Sequence, residues 1–143
     1  MLGALNAVTH EVITVCNDTY INAEAVTELL FRLRKRFLET KIPISIVLDN
    51  AAYQRCQRVE YLADLMGIEL VFMPPYSPNL NLIERLWKFV KNKCVYAREY
   101  ENFTDFSETI QQCIERAYVD HESELTSLLT WNFQSFNSIK KAA

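Results

Sequence analysis

The segment between Pro43 and the double proline at 74–75 constrains the fold more than any other part of the chain. It contains two short runs rich in β-branched and apolar residues, at 44–48 and 68–73. The helix-forming residues between the two runs end at Gly67, and the double proline ends the second run. Strand, helix, strand and a further helix predict a parallel, right-handed crossover. We expect its first strand to be covered on both faces.

The residues before this segment predict an antiparallel hairpin and a helix. Residues 1–17 alternate loosely between apolar and polar and are broken at 9–11, the pattern of two strands around a turn. Asn22 can cap the helix that opens the crossover, which we place at 22–73. The apolar residues of that helix recur with the spacing of one helical face: Val26, Leu29, Leu30, Leu33 and Phe37.

Composition predicts one globular domain over residues 1–143. Half of the residues are apolar and 12% are aromatic. No apolar run approaches the ~20 residues of a membrane span, so we expect no membrane association. The N-terminal sequence lacks the basic and apolar regions of a secretory signal, which makes the cytoplasm the expected location.

Charge gives no global sign of a nucleic-acid partner. Fifteen basic and eighteen acidic residues give a net charge of −3, whereas nucleic-acid binders usually carry a basic surplus. The basic cluster of the first helix includes two i,i+4 pairs, Glu28 with Arg32 and Lys35 with Glu39, which are typical of a solvated helix face. Any contact with a nucleic acid must therefore be local.

The four cysteines, Cys16, Cys56, Cys94 and Cys113, are 40, 38 and 19 residues apart. This spacing matches neither a disulfide-dense secreted domain nor a close-paired zinc site. We expect all four to be buried thiols. In the C-terminal part, helical periodicity predicts helices over 105–130, and residues 131–143 are left unassigned.

Residues 74–91 read PPYSPNLNLIERLWKFVK, and they fix where a helix begins. A proline and the residue before it both avoid the helix interior, so the helix starts after Pro78. Asn81 is the expected N-cap of a helix over 81–95, with Glu84 at N3, the spacing of a capping box. The apolar positions of this helix again form one face: Ile83, Leu86, Trp87, Val90 and Cys94.

Glu84 has two explanations. At about 100° per residue, Glu84, Lys88 and Lys91 share one flank of the helix. The structural explanation is an i,i+4 ion pair between Glu84 and Lys88 worth a few tenths of a kcal/mol. The functional explanation is a glutamate that binds a metal ion beside lysines that follow a phosphate backbone.

Asp49 favours the functional explanation. It follows the strand at 44–48, at the edge of an open α/β sheet where ligands usually bind, although a helix cap is also possible there. Thirty-four residues separate Asp49 from Glu84. Two carboxylates brought together in this way could share a divalent ion.

LDNA at 48–51 and PPYSPNLNLIERLW at 74–87 resemble the second and third catalytic motifs of DDE transposases, in the mariner-like superfamily and its bacterial insertion-sequence branch. The gap between the motifs is similar to that of the superfamily. Residue by residue, Asp49 matches the second acid, Glu84 the third, and Asn50 the asparagine beside the second acid. Asn81 begins the catalytic helix and supports the site, and Lys88 and Lys91 are expected DNA-backbone contacts from the helix geometry.

The resemblance implies an α/β, ribonuclease H-like mixed sheet flanked by helices. It also implies three carboxylates that hold two Mg²⁺ or Mn²⁺ ions for phosphodiester cleavage and strand transfer. The chain departs from the family because the first central strand and its aspartate are absent. Asp18 follows the hairpin and is a poor substitute. We therefore expect the C-terminal portion of a DDE catalytic core that binds Mg²⁺ weakly and is inactive alone.

The resemblance also implies partners. These are DNA at transposon ends, a missing upstream transposase segment in cis or in trans, and a second copy of the chain through unpaired strand edges. On DNA the protein would be associated with the bacterial nucleoid. Two alternatives remain open: a non-catalytic module that pairs with a full-length transposase, and a receiver-like α/β binding domain with Asp49 as its phosphoacceptor or ligand contact.

Overall fold

Two small sheets and five α-helices make up the described part of the protein. The computed structural model describes residues 1–38, 42–75, 80–96 and 99–130. None of the helices in these ranges is long and apolar enough to cross a membrane.

The first sheet is an antiparallel hairpin, as the N-terminal pattern predicts. Strand β1 (Leu2–Leu5) pairs with β2 (Val12–Val15), with Leu2 opposite Val15. In the turn, the side chain of Asn6 accepts hydrogen bonds from the backbone N–H groups of Val8 and Thr9.

The second sheet is the predicted parallel crossover. Helix α1 (Ala23–Arg36) leads to β3 (Ile44–Leu48), and α2 (Gln57–Leu65) connects β3 to β4 (Ile68–Phe72). Asn22 caps α1 as predicted, because its side chain accepts a hydrogen bond from the N–H of Ala25. Gly67 ends α2 with a φ of 62°, a left-handed conformation in which glycine avoids the steric cost of a Cβ atom.

Helix α1 packs against both sheets. Its buried residues Val26 and Leu30 form one cluster with α2 and β4, and Leu29 and Leu33 form a second with β2. The predicted apolar face of α1 thus contributes to two core clusters, one with each sheet.

Three further helices pack on the opposite side of the hairpin. They are α3 (Leu82–Val90), α4 (Phe103–Asp120) and α5 (Glu122–Leu128). The five residues after α3, Lys91–Val95, form a π-helical turn, so the helix predicted over 81–95 changes its winding at Val90. Leu86, Phe89 and Val90 of α3 form the core of this side with residues of α4 and α5.

The expectation that β3 is covered on both faces is wrong. Ser45 and Val47 of β3 and Glu69 and Val71 of β4 are exposed, and Val47 keeps 58% of its surface accessible. The cause is that α1 and α2 share one cluster on the same face of this sheet. Alternate residues on the other face therefore remain in contact with solvent.

The expectation of four buried thiols is also wrong. Cys94 of the π-helical turn and Cys113 of α4 form a disulfide with a Cα–Cα distance of 6.4 Å, and Cys16 and Cys56 are free and only half-buried. Spacing along the chain cannot reveal this pair, because the bond depends on how the turn after α3 lies against α4.

The basic cluster of α1 is largely engaged within the protein. Arg32 forms the predicted ion pair with Glu28 at 2.7 Å and also donates to the carbonyl of Thr14. Arg34 donates to the carbonyl of Gly67. The predicted partner of Lys35, Glu39, lies outside the described residues, as do residues 131–143.

Gly3 of β1 allows α3 to approach the hairpin closely. A Cβ atom on Gly3 would lie 2.8 Å from Cζ2 of Trp87 and 3.3 Å from Cδ1 of Ile83. We predict that Gly3→Ala lowers the free energy of unfolding by about 1–3 kcal/mol through overpacking, as measured by urea denaturation.

The double variant Gly3→Ala with Trp87→Leu is the control for this contact. Removing the indole relieves the overlap, so the cost of Gly3→Ala should be smaller in the Trp87→Leu background than in the wild type. An equal cost in both backgrounds would show that Trp87 is not the cause.

Candidate active site

Asp49 lies directly after β3, at the carboxyl edge of the parallel sheet. Its side chain is exposed, and its Oδ1 accepts a long hydrogen bond of 3.4 Å from the N–H of Ala51. This local contact is a turn rather than a helix cap, because α2 begins only at Gln57. The carboxylate therefore faces solvent at the edge where α/β proteins usually bind ligands.

Asn50 joins the ends of the two parallel strands. Its Nδ2 donates to the carbonyl of Met73, whose own N–H donates to the carbonyl of Leu48 at 2.9 Å. Asn50 thus fixes the backbone beside Asp49. The side-chain oxygens of Asn50 and Gln54 are buried and have no hydrogen-bond partner among the described residues.

Glu84 occupies the predicted N3 position of α3 and is exposed. Asn81 occupies the N-cap position, but its side chain makes no cap hydrogen bond. The N–H of Glu84 donates instead to the backbone carbonyl of Asn81 at 3.2 Å. Among the ion pairs of the described residues, none joins Glu84 to Lys88. Among the described residues, the ion pair of Glu84 with Lys88 is therefore absent, and so is the hydrogen bond that the Asn81 side chain would contribute to a capping box.

Tyr53 is affected by the charges of both acids. The pKa of its hydroxyl is raised above the ordinary value of 10.0, first by burial and then by the negative charges of Asp49 and Glu84. A negative charge raises the pKa of a phenol only when it lies close enough to oppose the phenolate. Asp49 and Glu84 are therefore each within electrostatic reach of the Tyr53 hydroxyl, despite the 34 residues between them.

Sequence reasoning missed Tyr53, because an aromatic residue in a short turn carries no periodic signal. It also missed two arginines. Arg55 places its guanidinium 4.6 Å from the ring centre of Phe72, at the end of β4. Arg85 donates to the carbonyls of Leu128 and Thr130, which holds the end of α5 against the first turns of α3.

The two predicted DNA-contacting lysines lie on exposed parts of α3 and the turn after it. Lys88 is in the last turn of α3, and Lys91 is the first residue of the π-helical turn. Both side chains are exposed. Glu84, Lys88 and Lys91 are thus carried by one continuous helical segment, whereas Asp49 follows β3.

The described residues offer two carboxylates for a metal ion. No group of three or more His, Cys, Asp or Glu side chains in the described ranges could hold one. Asp49 and Glu84 are exposed, hard oxygen donors of the type that Mg²⁺ and Mn²⁺ prefer. The donor chemistry fits such an ion, and the number of donors is below that of a complete carboxylate site.

We predict that Asp49→Asn and Glu84→Gln each lower the pKa of Tyr53 toward 10.0, because each change removes a negative charge that opposes the phenolate. The measurement is a pH titration of ¹³Cζ-labelled tyrosine by NMR. Glu60→Gln, a change at an exposed carboxylate of α2, is the control. If the pKa of Tyr53 falls in Asp49→Asn but not in Glu84→Gln, Glu84 does not act on the Tyr53 hydroxyl.

Comparisons with known proteins agree with this architecture. A family model described as DDE superfamily endonuclease matches residues 1–123. The uncharacterized protein y4pE/y4sA of Sinorhizobium fredii is 28% identical over 86 residues, which are 60% of this chain and 61% of that protein. The chain thus spans about three-fifths of the length of this curated relative.

The fold has a counterpart among solved structures. The catalytic domain of the Mos1 mariner transposase matches with a TM-score of 0.56 and 11% identity, over 85% of this chain and 69% of that chain. This likeness confirms the expected ribonuclease H-like fold. The match to the family model covers most of the chain, and the chain therefore belongs to the DDE superfamily endonucleases.

Proposed function

We propose that this chain is the C-terminal portion of a DDE transposase catalytic core that acts on DNA. In this proposal, Asp49 and Glu84 are the second and third metal-binding acids of a phosphodiester cleavage and strand-transfer site. The observation that supports the proposal is the position of the two carboxylates: Asp49 is exposed directly after β3, and Glu84 is exposed in the first turn of α3. Both acids are also within electrostatic reach of the Tyr53 hydroxyl, although they are far apart in sequence.

Asp49 and Glu84 are the residues that would hold Mg²⁺ or Mn²⁺. When bound, a pair of such ions activates the attacking water or 3′-hydroxyl and stabilises the leaving oxygen. Asn50 holds the strand ends that carry Asp49. Arg85 holds the first turns of α3, which carry Glu84, against α5. With two carboxylates alone, binding of Mg²⁺ should be weak, because this ion retains its waters unless the oxygen ligands are nearly octahedral.

Unpaired strand edges support the proposal that a partner segment supplies the third acid. Within the described residues, β1 pairs only with β2, and β3 only with β4. Leu2 of β1 and Ile46 of β3 pack on the same cluster of α1, so the two sheets lie side by side against this helix. A strand from an upstream transposase segment, in cis or in trans, would find hydrogen-bonding edges on both sheets.

The same edges favour one alternative. A chain that offers strand edges but only two acids could act as a non-catalytic module that pairs with a full-length transposase, or with a second copy of itself. Such a module would retain the fold and the pairing without the chemistry.

DNA contacts in this proposal are local. Lys88 and Lys91 would bind phosphates near the scissile bond, and they would position the DNA without reading its sequence. Recognition of transposon ends would depend on a part of the transposase outside this chain. A protein with this role would work in the cytoplasm, on the nucleoid.

We predict that the chain nicks supercoiled DNA in the presence of Mn²⁺ or Mg²⁺ when the upstream transposase segment is supplied in trans, and that it nicks little without that segment. Asp49→Asn and Glu84→Gln should abolish the metal-dependent nicking, because each removes an oxygen charge that holds the metal. Agarose-gel conversion of supercoiled to open-circular plasmid measures this activity.

Glu60→Gln is the matched control, since it removes an exposed carboxylate from α2 and should leave nicking intact. Nicking that persists in both site variants would contradict the assignment of Asp49 and Glu84. Complex formation with the upstream segment but no nicking under any metal condition would favour the pairing module.

We also predict that Lys88→Ala and Lys91→Ala each reduce the salt dependence of DNA binding. Each lysine that neutralises a phosphate contributes about 0.9 to the slope of log Kobs against log salt concentration. Fluorescence anisotropy with a short duplex at several salt concentrations measures that slope. Lys35→Ala on α1 is the control. A slope unchanged by both Lys88→Ala and Lys91→Ala would show that these lysines do not contact DNA phosphates.

A further inference from the structure

The turn that follows α3 is tied covalently to α4. Cys94 lies within the π-helical turn Lys91–Val95, and its disulfide partner Cys113 lies in the middle of α4. The Cα–Cα distance of 6.4 Å is inside the range of about 4.4 to 6.8 Å in which two cysteines can be joined. Both residues are half-buried, so small thiols can approach this bond.

Non-covalent contacts among the described residues also hold this turn: Val95 packs on the core cluster of α3, α4 and α5, and Lys93 Nζ lies 5.6 Å from the ring centre of Phe89. The N–H of Tyr96 donates to the carbonyl of Lys91, and the hydroxyl of Tyr100 donates to the carbonyl of Cys94 at 2.6 Å. Lys93 pairs with Glu124 of α5 at 3.0 Å, but both side chains are substantially exposed, and such pairs contribute little. The disulfide adds a covalent restraint to these contacts.

The core beneath the turn does not depend on the disulfide. Leu86, Phe89 and Val90 of α3 are buried in one cluster with Ile110 and Ala117 of α4. Apolar packing thus joins the two helices, and the covalent bond links the turn after α3 to the middle of α4. Loss of the bond should loosen the turn and leave the remainder of the fold in place.

We propose that Cys94 and Cys113 form a reversible thiol–disulfide site whose state sets how firmly the π-helical turn is held against α4. Its co-reactant is a low-molecular-weight disulfide and thiol couple such as glutathione. This inference does not depend on the proposed nuclease function. It matters for that function only because Lys91 opens the same turn.

The exchange reaction balances with that couple alone. One cysteine thiolate attacks a sulfur of the small disulfide, whose S–S bond breaks and releases one thiolate. The other cysteine thiolate then attacks the protein sulfur of the mixed disulfide and releases the second. The chain loses two hydrogens, as two electrons and two protons, and one small disulfide becomes two thiols.

Hydrogen exchange followed by mass spectrometry tests the proposal on the full chain, oxidised and then reduced in glutathione buffers. We expect reduction to add two hydrogens to the mass and to speed exchange at residues 91–96 by on the order of tenfold or more. Exchange in β3 and β4 should remain unchanged. Reoxidation should restore the slow exchange.

Two variants provide the controls. Cys94→Ser should exchange at residues 91–96 as the reduced wild type does, with no response to glutathione. The double variant Cys16→Ser with Cys56→Ser should respond as the wild type does. The proposal fails if the disulfide never forms, if it resists millimolar reduced glutathione, or if reduction speeds exchange equally throughout the molecule.

Discussion

The packing of α1 against both sheets is the interaction on which the rest of the structure depends. No backbone ladder joins the hairpin to the parallel pair within the described residues. The two sheets are held in place by side chains of α1, chiefly Val26 and Leu30 on one side and Leu29 and Leu33 on the other. Burying four such side chains contributes several kcal/mol at about 1.5–3 kcal/mol each. A single helix thus performs the role that a continuous sheet usually has.

The relative position of the two acids follows from this arrangement through a short series of contacts. Asp49 is fixed to the end of β3, and β3 is fixed to α1 by Ile46. On the other side of the hairpin, the missing side chain of Gly3 admits Trp87 of α3, and α3 carries Glu84. The Asp49–Glu84 relationship therefore depends on apolar packing at two interfaces and on no direct bond between the acids.

Local patterns predicted most of this fold. Asn22 and Gly67 mark helix ends by conformational preferences that operate within a few residues, so the sequence placed both correctly. The open face at Val47 could not be predicted in the same way, since its cause is that two crossover helices occupy the same side of the sheet. The disulfide of Cys94 could not be predicted for a similar reason, because its partner is set by how the turn after α3 lies against α4.

The candidate site was predictable in part. The residues with a strong local signal, Asp49 at a strand end and Glu84 after a proline break, were found from sequence. Tyr53 was not, because its electrostatic interaction with Asp49 and Glu84 depends on the tertiary structure. Sequence alone also left Glu84 divided between a helix-capping role and a ligand role. In a capping box, the side chain of the N-cap residue and that of the N3 residue each accept a backbone hydrogen bond. The Asn81 side chain makes no such bond, so at least half of the capping box is missing.

The charges of Asp49 and Glu84 act on Tyr53. Asp49 and Glu84 both oppose ionisation of the partly buried Tyr53 hydroxyl, and packing alone gains nothing from that effect. Arrangements of like charge are typical of sites that bind a cation, where the ion reverses the sign of the interaction. Arg55 stacks on Phe72, and no ion pair of the described residues joins Lys88 to Glu84. Two exposed carboxylates without an ion-pair partner among the described residues are therefore available to the divalent ion of the proposed site.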